Sequence, residues 1–218
     1  MRIARFTLSL IFITQFFCAP IATADDEGGE PKPVVNFDFP MDMKAICKLP
    51  EYPAAAVRRG IEGDTKLTLH IDEHGKIAAF DLLQSAGWKI LDMSIMNHLS
   101  GCQLLPPGNY APQTKIFVLH WQYDHGYSSR AELDLASCKK SASLRIAQNK
   151  DIANDIVVGV MVSSGGKVVD AIIQWGSGDE ALDKESLRIA RSCEFFPAEY
   201  EGKRVAKAES LRFISQND

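Results

Sequence analysis

The sequence predicts an α+β protein made of two copies of one small unit, each a three-stranded antiparallel sheet with two helices on one face. Three observations predict it. The first is an internal repeat at a fixed, gapless offset of 91 positions: Cys47 falls on Cys138, Lys48 on Lys139, Ile61 on Ile152 and Asp64 on Asp155. Gly75-Lys76 then falls on Gly166-Lys167, Gly87 on Gly178, Leu91-Asp92 on Leu182-Asp183, Cys102 on Cys193 and Pro106 on Pro197. The second is where these matches sit: glycines at turns, a Leu-Asp pair opening a helix, a proline ending one. The third is the order of periods, in which strands with alternating polarity flank a stretch with helical spacing.

The chain has 218 residues, which allows two units of roughly 90 residues each. Taken in order, residues 1–24 read as a signal peptide: Arg2 and Arg5, the apolar run Phe6–Phe17, then Ala22-Thr23-Ala24 as an A-x-A cleavage site. Retention as a membrane anchor is the alternative, but the apolar run falls short of the ~20 residues a span needs. Cys18 lacks the small residues that precede a lipidated cysteine. Cleavage would remove two arginines from a chain whose net charge is already -4, which gives no electrostatic case for nucleic acid or anionic lipid. Residues 25–44, acidic and bearing glycine and proline, read as a flexible, solvated lead-in.

The first unit spans 45–128. Tyr52–Gly60 has a proline for the first turn of a short helix and a glycine at its end. Leu67, Leu69 and Ile71 alternate with polar residues as a strand, and Asp72-Glu73-His74-Gly75 is a tight turn. Phe80 and Leu82 lie two apart on the returning strand with Ile77 out of step, which predicts a bulge. Leu91, Ile95, Leu99 and Cys102 recur at helical spacing, with Asp92 near the N-terminal end of that helix. Lys115–Tyr123 is the third strand, with Phe117, Leu119, Trp121 and Tyr123 on one face and Ile116, Val118, His120 and Gln122 on the other.

The second unit spans 135–218 and follows the same plan with a weaker entrance, Ser143-Leu144 standing where the first has Tyr52-Pro53. Its first strand, residues 155–163, is apolar on both faces, so its far side is expected to be covered, the other copy being one candidate cover. Its last strand, residues 205–213, carries Lys207 and Glu209, charges of the kind that blunt an exposed edge. Without Cys18 four cysteines remain, and four allow three pairings. The repeat selects Cys47 with Cys102 and Cys138 with Cys193, one disulfide in each unit; four buried free thiols are the alternative.

Tyr52-Pro53, Ala56, Gly60-Ile61-Glu62-Gly63, the turn at Asp72–Gly75, Ser85-Ala86-Gly87, Leu91-Asp92 and Pro106 together resemble the TonB C-terminal domain family over about residues 45–125. Residues 138–215 resemble a second, eroded domain of that family. The resemblance implies a periplasmic binding module whose third strand is the free edge of its sheet. An extended segment of an envelope protein, such as an outer-membrane transporter, would pair with that edge. Edge strands carry unpaired N–H and C=O groups, so strand addition is the simplest use of them. The expected edge is Lys115, Ile116, Phe117, Val118, Leu119, His120 and Gln122, with cover by a loop or by the other copy as the alternative, and a homodimer through such edges is also open. A membrane-anchored energy transducer and a structural envelope protein with mutually covered edges are the competing functions.

No catalytic constellation or cofactor motif is legible. His70 and His74 sit on a strand and its turn, where a four-residue spacing shares no face, and His120 and His125 read as edge and loop residues. Neither pair predicts a metal site. Ser163-Ser164-Gly165-Gly166 lacks the residues a phosphate loop needs, and Trp88 and Trp175 read as packing residues.

Overall fold

The structure is a computed structural model describing residues 33–38, 47, 49–123, 130–147 and 156–216. The signal peptide, Cys18, most of the lead-in and His125 lie outside the described residues. Strand β1 is Pro33–Asp38 and helix α1 is Ala54–Val57; then come β2 (Gly63–Ile71), β3 (Ile77–Gln84), α2 (Lys89–Leu99) and β4 (Gln113–Tyr123). The second half contains β5 (Glu132–Asp134), β6 (Leu144–Ile146), β7 (Ile156–Val162), β8 (Val168–Trp175) and α3 (Glu180–Ala190). It ends with β9 (Glu194–Phe196), β10 (Ala198–Tyr200), β11 (Lys203–Val205) and β12 (Lys207–Ser215). The protein is therefore mixed α and β, with strands predominating.

The repeat is physical as well as textual. Gly75 and Gly166 turn the two hairpins at φ of 80° and 82°, in the left-handed region that glycine enters without a Cβ penalty. The hydrogen bonds around them correspond residue by residue. Gly75 N–H donates to Asp72 O and Gly166 N–H to Ser163 O; Lys76 N–H donates to the Asp72 carboxylate and Lys167 N–H to the Ser163 hydroxyl. The bulge expected at Ile77 is present, since Ile71 faces Ile77 while His70 faces Ala79, and the second hairpin repeats it between Met161 and Val162.

Each half has its own core. In the first, Leu91, Ile95 and Leu99 of α2 meet Leu67, Leu69, Phe117 and Leu119 of the sheet, all at most 1% exposed. In the second, Ile189 and Ala190 of α3 meet Val158, Val160, Val162 and Phe213. Burying such a side chain contributes roughly 1.5–3 kcal/mol, so these stripes dominate the stability of either half. The cysteines pair as the repeat selects: Cys47 and Cys102 lie at a Cα separation of 6.2 Å and Cys138 and Cys193 at 4.2 Å, both at disulfide distance.

Three expectations are corrected. The first sheet has four strands, ordered β1-β4-β2-β3, because part of the lead-in adds as β1. Val35 and Phe37 alternate with Asn36 and Asp38, which is enough to give an extended segment one apolar side. In the second half the segment expected as a short helix is instead β6, paired with the end of β12 in a sheet ordered β6-β12-β7-β8. Leu144 has no proline to open a helix, and it gains more by burial at 2% exposure than a single helical turn would give. Finally, Lys207 does not guard an exposed edge; it is 3% exposed and ion-paired to Glu62 of the first half.

That pair belongs to a broad contact between the halves. Pro31–Asp218 forms one compact unit. The outer face of β7 and β12 is covered by the first half, as the doubly apolar β7 requires. Trp88 lies over Gly159, where an added Cβ would stand 2.6 Å from the indole. Met161 and Ala208 join the first core, and the Arg212 guanidinium donates to the Ser85 carbonyl.

Asp92 ties these contacts together. It is fully buried and accepts from Thr65 Oγ1 at 2.8 Å, from the Ser85 hydroxyl, from Ala86 N–H at 2.8 Å and from Trp175 Nε1 at 2.9 Å. The counterpart Asp183 holds its own loop the same way, accepting from Ser177 N–H at 2.8 Å. Local sequence placed Asp92 at a helix start, where it favours the dipole; its larger role is as the acceptor on which both halves converge.

Candidate functional site

The alternation of β4 builds two unlike faces. Phe117, Leu119 and Trp121 point into the core at 0%, 0% and 1% exposure, and Trp121 is fixed by an edge-on contact with Tyr52 and by donation to Thr65 Oγ1. Ile116, Val118, His120 and Gln122 point away, and Ile116 is 56% exposed. Lys115 lies near the start of the strand and is half-buried.

One side of β4 pairs with the whole of β2, from Ile71 opposite Gln113 to Gly63 opposite Trp121. The other side, the edge expected to be free, carries β1 antiparallel, with Pro33 opposite Tyr123 and Asp38 opposite Val118. The structure thus places Val118, Leu119, His120 and Gln122 opposite β1. Lys115, Ile116 and Phe117 lie beyond the last β1 pair among the described residues. Phe37 packs on Phe117 with ring centroids 6.1 Å apart, and Val35 also reaches the core.

His120 is the polar centre of the outer face. Its Nδ1 lies 2.8 Å from Asp64 Oδ1 on β2 and its Nε2 lies 3.3 Å from Asp38 Oδ2 on β1, so one imidazole spans three neighbouring strands. Partial burial disfavours its cation, but the hydrogen bonds and charges of Asp64 and Asp38 outweigh burial and raise its pKa above the ordinary histidine value. Sequence reasoning singled out His120 and missed both of its partners. The alternation of Val35-Asn36-Phe37-Asp38 was the available signal.

The corresponding edge in the second half is differently used. Beside the end of β12 lies β6, while Lys207, Ser210 and Arg212 meet Glu62, Gly87 and Ser85 of the first half. Burial lowers the pKa of Lys207, and Glu62 opposes that shift by pairing with the ammonium.

Elsewhere, His70 pairs with Asp81 at 2.7 Å and His74 sits near Glu73, so the two histidines serve different neighbours. Among the described residues no group of three or more His, Cys, Asp or Glu is placed to hold a metal ion. No helix among them is long and apolar enough to cross a membrane.

Compared with models of known families, the chain matches Gram-negative bacterial TonB protein C-terminal, over residues 48–124 and again over 145–214. Neither a search of curated proteins nor one of solved structures finds a match. The matched family is not one of enzymes; its domains are periplasmic and interact with envelope proteins such as outer-membrane transporters. With well over half of the chain matched, in two segments that coincide with the two halves of the fold, this protein belongs to the TonB C-terminal family and carries that unit in tandem.

Proposed function

We propose that this protein is a periplasmic adaptor, exported with cleavage after Ala24, that recognises an envelope protein or extended peptide by strand addition at the β4 edge of its first unit. The units are 45–128 and 135–218. One observation carries the reading: that edge receives a strand in regular antiparallel register, as β1 does. Backbone pairing supplies affinity in such a mode, and the outward side chains Ile116, Val118, His120 and Gln122 supply preference. In the second unit β6 pairs with β12 at Phe213–Ser215 and the Lys207 and Arg212 side chains are engaged by the first half, which favours the first unit as the one that takes the partner strand.

The test is a photo-reactive residue at Ile116 in the exported protein, irradiated in envelope extract. Capture of an envelope protein at Ile116, and its loss when Val118 and Gln122 are both changed to aspartate, is the expected result. Capture of nothing, or capture indifferent to that change, refutes strand addition at this edge. N-terminal sequencing of the exported chain checks export: a start at Asp25 fits an adaptor, and a start at Met1 in the membrane fraction fits an anchored transducer.

A further inference from the structure

The strand lying on β4 comes from the same chain, and its side chains describe what the edge selects. Val35 and Phe37 face the core, while Asn36 and Asp38 face outward, with the Asp38 carboxylate on His120. Every side chain from Val34 to Asp38 is half-buried or exposed, whereas Phe117, Leu119 and Trp121 of β4 are sealed. An outermost strand that buries so little is the strand the sheet loses at least cost.

We propose that β1 is a built-in stand-in for the partner: the segment that replaces it presents two apolar side chains two residues apart with a carboxylate directly after the second, and His120 receives that carboxylate. This rests on the strand-addition reading and adds the partner's chemistry and an internal competitor. Because only chains with β1 undocked can bind, apparent affinity falls by the fraction uncovered. The partner is therefore an extended, amphipathic, acidic-ended segment of another protein, and it succeeds by outcompeting β1.

The experiment uses the full exported chain and a fluorescent peptide with the sequence of Pro33–Asp38, read by anisotropy. Replacing Val35 and Phe37 together by serine undocks β1 and should tighten peptide binding about tenfold or more. On that released edge a peptide with asparagine in place of its terminal aspartate should bind about fivefold more weakly, and His120→Ala should abolish the difference. A complementary variant, Val34→Cys with Gln122→Cys, joins directly opposed positions and locks β1 in place. The oxidised, locked chain should capture no peptide. Equal binding to the wild-type, released and locked chains overturns the proposal, as does indifference to the aspartate. If Ile116 captures an envelope protein while these peptide results fail, the stand-in is wrong and strand addition stands; if Ile116 captures nothing while the peptide results hold, the adaptor reading fails and the selectivity of the edge remains.

Discussion

Trp175 donates its indole N–H to the buried carboxylate of Asp92 at 2.9 Å, from the last residue of β8 to the first turn of α2. This hydrogen bond joins the halves through the loop, Ser85-Ala86-Gly87, by which both the resemblance and the repeat are recognised. Lys89 reinforces it, with its ammonium 5.0 Å from the Trp175 ring centroid and its backbone N–H on Gln174 Oε1.

Replacing Asp92 by alanine leaves the donors of Thr65, Ser85, Ala86 and Trp175 without their acceptor. A loss of about 3–5 kcal/mol is expected, because four buried donors lose their acceptor at once. Trp175→Phe removes one donor and should cost about 1–3 kcal/mol, since it leaves a buried acceptor one hydrogen bond short. Urea unfolding of the two variants and of the double variant checks both, and the double should cost less than the sum.

At Gly159 the constraint is steric. Alanine there would place its Cβ 2.6 Å from Trp88 Cζ3 and 2.8 Å from Cη2, and an overpacking cost of about 1–3 kcal/mol is expected. In a Trp88→Leu background the same substitution should cost far less, a reversal that thermal melts of the four chains would register.

The two disulfides each close a separation of 55 residues. Chain entropy assigns about 4 kcal/mol to a bridge over such a loop, so Cys47→Ser with Cys102→Ser should lower stability by that order, and the pair in the second half likewise. Mass mapping of unreduced peptides should find both links within halves and none between them.

The pH dependence of the β1 edge follows from His120. The groups facing it are Asp38 from β1 and Asp64 from β2, with Lys66 two residues along β2 on the same side. Because its folded pKa is raised, the stabilisation is fully present below the unfolded value near 6.5 and is lost as pH rises through the folded value. Docking of β1 should weaken over that interval, and Asp38→Asn should move the NMR titration of the His120 ring back toward its ordinary range.

How much of this was legible depends on how far away the deciding partner lies. Hairpins, bulge, helix stripe and cysteine pairing all arise within one unit, where periodicity, turn glycines and a repeated spacing carry the information. The alternation of β4 was equally readable, because Phe117, Leu119 and Trp121 declare their face themselves. Lys207 was misread because its partner, Glu62, lies 145 residues earlier, and a lone lysine on a strand resembles an edge guard. β1 was missed because six residues beside glycine and proline cannot announce a sheet completed only by β4. The doubly apolar β7 did signal that something covers it, and the structure supplies the cover.

The fit of Trp88 over Gly159 also bears on how this chain can be taken apart. Severed between residues 128 and 135, the first half would bare an indole and the second a seam of valine, glycine and methionine along β7, each sticky in water. Neither piece should be expected to behave as an autonomous soluble module, despite having its own core and its own pair of cysteines. Laboratories wishing to study one copy would do better to disable the other in place than to discard it.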